Sequence, residues 1–188
     1  MRIFIDIGHP AHVHYFRNFI KMMEGKGHKF CISARDKEIT HSLLDYYQIQ
    51  YTSKGRGQKS LFGKFFYLFK ANYVIFKLAR RFRPDICLSF GSPYLAQISK
   101  IICKPHIAFD DTEHAKFEHL LYVPFSNCIL TPNSFKKDFG NKHIRFFGSM
   151  DIAYLHPKYY ESNIKYLEEL KLVDKIYFFL RFVEWDAT

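Results

Sequence analysis

Apolar and polar positions alternate from Arg2 to Ile7 and give way to Gly8-His9-Pro10-Ala11. Val13, Phe16, Phe19, Ile20 and Met23 then recur at helical spacing until Gly25 and Gly27. That order reads as strand, loop, helix and stop. Phe30–Ala34 is a second β-prone run, followed by a helix over about 37–47 and a brief strand near 50–52. Ser60 is placed to cap a long helix that Arg83-Pro84 ends. Residues 85–90 form a nearly continuous apolar strand, as expected where both faces of a sheet are covered. Further elements are expected as a helix from Pro93 to about Ile102, a strand over 105–109, a helix near 115–121 and strands at 128–130 and 144–147.

This rhythm predicts an α/β fold: a Rossmann-like parallel sheet flanked by helices, filling residues 1–148. Residues 149–162 read as a linker, and 163–188 as the start of a second, truncated domain. Its helix is expected over 163–170 and its strand over 175–182. A single strand needs partners, so it either joins the first sheet or begins a second Rossmann domain that the chain lacks; the second reading is preferred.

The long helix carries Phe62, Phe65, Phe69, Tyr73 and Phe76 on one stripe, with Lys64 and Lys70 among them. Such a stripe can face a core with its lysines solvated, or lie on a membrane surface. The core-facing arrangement is the preferred expectation.

Aromatic residues are 19% of the chain and the formal net charge is +10. The charge favours an anionic partner without naming it, and the lysines are too dispersed to suggest nucleic acid. The amino end lacks a secretory core because Asp6 interrupts it, so a cytoplasmic location is expected, with the inner face of the membrane as the surface within reach. Cys31, Cys87, Cys103 and Cys128 are scattered singly and read as buried reduced thiols.

In parallel sheets ligands bind beyond the carboxyl ends of the strands, which makes the loops there the candidates. The first places Gly8, His9, His12 and His14 at a helix amino terminus, where backbone N–H groups favour an anion and a histidine can act as general base. His12 is the preferred catalytic residue. His12 and His14, two residues apart, do not share a helix face, and no carboxylate stands at ligand spacing, so no metal or other cofactor is expected.

The second loop offers Gly91 and Ser92. The third gathers Asp110, Asp111, Thr112, Glu113 and His114, where neighbouring carboxylates can raise one another and serve as acid, base or sugar-hydroxyl contacts. Asp110 and Asp111 are the catalytic candidates there. Arg35 and the basic loop from Arg56 to Lys59 are candidate anion contacts. Neither Gly-x4-Gly-Lys-Ser/Thr nor Gly-x-Gly-x-x-Gly occurs, which removes the main support for nucleotide hydrolysis and for standard dinucleotide binding.

The segments Asp6–His14, Ser33–Lys37, Phe90–Pro93, Phe109–Ala115, Tyr154–Pro157 and Leu180–Val183 resemble, in order, a prokaryotic family catalogued as domain of unknown function 354, taken to have the GT-B glycosyltransferase fold. The Gly-x-x-x-His opening is more distantly similar to the GlcNAc transferase that completes the lipid-linked peptidoglycan precursor, and to UDP-GlcNAc 2-epimerases.

The resemblance implies a first domain that holds a hydroxyl acceptor, lipid-linked acceptors included, and a second that binds a nucleotide-sugar. It implies sugar transfer in the cleft between them, with His12 where that transferase's histidine falls. Family members continue for a second domain, so this chain is expected to lack the donor site and to be inactive alone. The alternatives are a non-catalytic module that binds a glycan, a lipid phosphate or a protein, and half of a UDP-sugar epimerase.

Overall fold

The computed structural model describes residues 1–58 and 60–180. In chain order the elements are β1 (Arg2–Ile7), α1 (Pro10–Glu24), β2 (Lys29–Asp36), α2 (Thr40–Tyr46), β3 (Thr52–Arg56), α3 (Leu61–Phe82) and β4 (Ile86–Phe90). They continue with α4 (Pro93–Ile101), β5 (His106–Phe109), α5 (Lys116–Tyr122), β6 (Cys128–Pro132), β7 (His143–Phe146), α6 (Ile152–Leu155) and α7 (Lys165–Glu169).

The strands form one sheet in the order β3-β2-β1-β4-β5-β6-β7, and every pairing is parallel. This is the Rossmann-like α/β fold read from the sequence. The central register pairs Ile5 with Ile32 on one side and with Leu88 on the other. Alternation along β1 supplies both layers of the core. Ile3, Ile5 and Ile7 pack with Val13, Phe16 and Ile20 of α1 and Leu44 of α2. Phe4 faces the opposite way, onto Ile75 and Ala79 of α3 and Leu95 and Ile98 of α4.

Helix ends follow their caps. Ser60 Oγ accepts from Gly63 N at 3.1 Å to start α3, and Arg83, with φ 52°, ends it ahead of Pro84. Both were legible in the sequence.

Four expectations change. First, of the aromatic stripe of α3 only Phe76 packs against the core; the other four rings face outward. The buried side is Tyr67, Ala71, Ile75 and Ala79, while Phe62, Phe65, Phe69 and Tyr73 are 81%, 56%, 58% and 68% exposed. The small residues Ala71 and Ala79 let α3 approach the sheet closely, and the bulky rings of the other stripe are left outside.

Second, β3 lies over 52–56 instead of 50–52 because the buried Lys54 draws the polar run Thr52–Arg56 into the sheet edge. Third, residues 175–180 form no strand and do not join the sheet; Ile176 and Phe178 are 95% and 90% exposed. With no partner to complete its ladder, a lone apolar segment has no means of forming one. The last two residues of the expected strand, Arg181 and Phe182, lie outside the described residues. Fourth, Cys103 is exposed; Cys87 is buried and Cys31 and Cys128 are part-buried, and all four thiols are free.

Residues 149–162 include α6, which rests on α1. Asn18 Nδ2 donates to the Ala153 carbonyl at 2.9 Å, and the Tyr154 ring lies 5.4 Å from His14 and 5.9 Å from Tyr15.

Candidate functional site

Strand order reverses between β1 and β4, the point where an open parallel sheet splays its loops and leaves a crevice. The loop after β1 carries Gly8 and His9, and that after β4 carries Gly91 and Ser92. Gly91 takes φ +53°, a left-handed backbone that suits glycine. The sequence candidates Gly8, His12 and Gly91 therefore meet at one place.

His9 caps α1: its Nδ1 accepts from Ala11 N at 3.2 Å, with Pro10 in the first turn. The His12 ring, one turn on, stacks on Phe90 at 4.8 Å across the reversal point, and its Nδ1 accepts from Gly8 N at 3.3 Å. Burial, then the nearby His9, Lys54 and Lys37, lowers the His12 pKa to about 3. The ring is therefore neutral at pH 7. With Nδ1 accepting, the single ring proton sits on Nε2, which makes His12 a hydrogen-bond donor in this arrangement. Acting as a base through Nε2 would require release of the Gly8 N–H and a change of tautomer. His14 turns away from this centre, against Tyr47 and Tyr154.

The third loop divides its residues by role. Asp110 is buried, and its carboxylate accepts from Thr112 N at 2.8 Å, His119 Nε2 at 2.9 Å and the Tyr122 hydroxyl. Lys137 Nζ lies 2.7 Å from His119 Nδ1 and completes the chain of contacts. Asp110 thus holds the loop in shape. Asp111 instead lines a cavity of about 200 Å³ with Glu113, Ser134, Phe135, Ser149 and Asp151.

Enclosure raises the Asp111 carboxyl above its ordinary value; the Thr112 hydroxyl works against this, and Asp110 and Asp151 add to it. Glu113 Oε1 accepts from Lys136 N at 2.7 Å. His114 is exposed on the way into α5.

Arg35 lies over the Tyr67 ring at 5.6 Å, and Gly57 makes room for it: a β-carbon there would stand 1.9 Å from a guanidinium nitrogen. Lys59, the end of the basic loop, lies outside the described residues. Burial first and Lys37 second lower the His9 pKa, with Arg35 adding to the effect. The crevice is consequently polarised, with Arg35 and Lys37 on the β2 side of His12 and Asp111, Glu113 and Asp151 on the β5 side.

Sequence reasoning missed the group beneath it. Asp6 is wholly buried and accepts from Ser33 Oγ, Lys54 Nζ and Ser92 Oγ, which ties β1, β2, β3 and the start of α4 together. The signal was Asp6 itself, a charge inside the apolar run Ile3–Ile7, which demands a buried partner. Nothing in the run around Lys54 marked it as that partner. Ser92 is occupied by this network and is buried. Among the described residues no group of three or more His, Cys, Asp or Glu side chains could hold a metal ion.

A family model described as "Protein of unknown function (DUF354)" matches residues 1–180. The chain belongs to this family. An uncharacterized protein of Methanocaldococcus jannaschii is 24% identical over 180 residues, covering 92% of this chain and 53% of its own. The chain therefore spans about half the length of the curated relative it matches.

Solved structures share the fold. UDP-GlcNAc 2-epimerase from Methanocaldococcus jannaschii superposes with TM-score 0.65 at 13% identity, over 91% of this chain and 52% of that one. MnaA from S. aureus, solved with UDP, gives 0.64 at 12% identity over 90% and 51%. MurG from Acinetobacter baumannii gives 0.58 at 15% identity over 73% and 43%. This member of the family has the fold of one half of those GT-B proteins.

Proposed function

We propose that this chain is the acceptor-side half of a GT-B protein that transfers a sugar from a nucleotide-sugar to a hydroxyl acceptor held at the reversal-point crevice. The observation that carries the reading is the placement of His12. It stands at the β1/β4 reversal, seated on Phe90, between a cationic and an acidic side. The carboxylates of Asp111 and Glu113 suit sugar-type hydroxyl groups, while Arg35, Lys37 and the amino end of α1 suit phosphate oxygens.

His12 Nε2–H donates to the acceptor, or to negative charge building on the oxygen under attack or departure. Asp110 acts as a positioning residue through Thr112. In this reading the nucleotide-sugar is held by the donor-side half of such a protein, and residues 1–188 do not turn over by themselves. Activity in the cytoplasm and a lipid-linked acceptor belong to the same proposal.

A second reading is favoured by the fold likeness to UDP-GlcNAc 2-epimerases: the chain is half of an enzyme that rearranges a UDP-sugar. Hydrogen exchange with and without a short-chain polyprenyl phosphate separates the two. Slowed exchange confined to residues 8–12, 91–95 and 110–113 is expected for the transferase half. Protection of those residues by UDP-GlcNAc, with none from the polyprenyl phosphate, would replace it with the epimerase reading.

A further inference from the structure

The outer face of α3 is an exposed aromatic surface that the crevice does not use. Phe62, Phe65, Phe66, Phe69 and Tyr73 follow one another at helical spacing and are between 56% and 81% exposed. Together they present on the order of 600 Å² of ring surface, the top of the range for the largest apolar patch on a soluble monomer. The opposite face of the same helix already supplies the core through Tyr67, Ala71, Ile75 and Ala79. Packing within the described residues therefore gives the outer aromatics no role.

We infer that this face docks on an anionic lipid surface. The charge distribution selects the occupant. Between Asp45 and Asp85 the sequence has no acidic residue and nine Lys or Arg. Lys64, Lys70, Lys77, Arg80 and Arg81 are exposed on α3 itself. A second copy of the chain would bring these cations against one another, which opposes self-association through this face. A surface of acidic headgroups over hydrocarbon matches both halves of the pattern. Rings enter the headgroup boundary while the lysines stay at the phosphate level.

The position also matters. α3 begins directly after β3, so its aromatic amino half lies at the carboxyl edge of the sheet, the rim that carries the crevice. Tyr67 marks the junction: its hydroxyl donates to the Gly55 carbonyl at 3.3 Å and its ring lies 5.7 Å from Tyr94 at the start of α4. Docking through the outer face brings the crevice to the lipid surface. The inference stands on the face itself and does not depend on sugar transfer.

The test is sedimentation of the chain with vesicles of phosphatidylcholine alone and of phosphatidylcholine mixed with phosphatidylglycerol. Binding to the mixed vesicles only, released by high salt, is expected. Phe62→Ser/Phe66→Ser/Phe69→Ser should abolish it without lowering the melting temperature, because all three rings are already exposed. Lys64→Gln/Lys70→Gln should weaken it about 30-fold, at roughly fivefold per cation near the surface, and carries the test if the triple variant misfolds.

Three outcomes overturn the inference. They are no binding to the mixed vesicles, equal binding to phosphatidylcholine alone, and a dimer in light scattering that the triple variant converts to monomer.

Discussion

Acidification from pH 7.5 to 5.0 should remove roughly 4 kcal/mol of folding stability through two histidines, one buried and one part-buried, that the fold holds neutral. His106 is wholly buried, with Ser89 Oγ 2.9 Å from Nε2 and Ser126 Oγ 2.9 Å from Nδ1, and burial lowers its pKa to about 3. His12 is lowered to about 3 as well, chiefly by burial. In the unfolded chain both titrate near 6.5. The unfolded state therefore takes up protons below that value while the folded state does not, so stability is complete above pH 6.5 and lost as pH falls toward 3.

Each unsatisfied proton costs about 1.4 kcal/mol per pH unit, which gives about 2 kcal/mol per histidine at pH 5.0. His9 and His14 are lowered too and add in the same direction. Urea unfolding followed by circular dichroism at pH 7.5, 6.5, 5.5 and 5.0 measures the slope. His106→Gln should lower stability at pH 7.5 yet reduce the acid slope by one proton. Stability independent of pH between 7.5 and 5.0, or an unchanged slope in His106→Gln, would refute the burial argument.

Other expectations concern the groups around the crevice. Lys54→Met leaves Asp6 buried without its cation and should cost about 3–5 kcal/mol in urea unfolding. Asp6→Asn/Lys54→Met should recover most of this, and a loss under 1 kcal/mol in the single variant would show that the pair is not buried as described. Asp110→Asn should destabilise by about 2 kcal/mol, because Tyr122 and His119 lose a charged acceptor, whereas Asp111→Asn should fall within about 0.5 kcal/mol of the parent. Nitrogen NMR of the His12 ring should find the Nε2–H tautomer, uncharged from pH 8 to 4.5. An Nδ1–H ring, or titration near 6.5, would restore the general-base role.

The parallel sheet was legible because period-2 and period-3.6 patterns alternate cleanly from Arg2 to Phe147, and because Ser60 and Arg83-Pro84 mark the ends of the longest helix. The crevice was legible in part, since strand ends deliver loops there whatever their sequence. What escaped depends on contacts between distant segments. Asp6 and Lys54 are 48 residues apart and meet only once β3 pairs with β2. Asp110 differs from Asp111 in role because one points to His119 and Tyr122 and the other lines the cavity with Glu113 and Asp151, a distinction set by the turn and invisible in the Asp-Asp pair. The α3 stripe was misplaced because the helix carries two apolar faces, and periodicity alone does not say which one the sheet takes.

The most direct test of the acceptor-side reading is calorimetric titration of this chain with a short-chain polyprenyl phosphate and, separately, with UDP-GlcNAc, using His12→Ala as the control. Binding of the polyprenyl phosphate, weakened at least about tenfold by His12→Ala, with no binding of UDP-GlcNAc, is the expected result. Tight binding of UDP-GlcNAc, or polyprenyl phosphate binding that His12→Ala leaves unchanged, would contradict it.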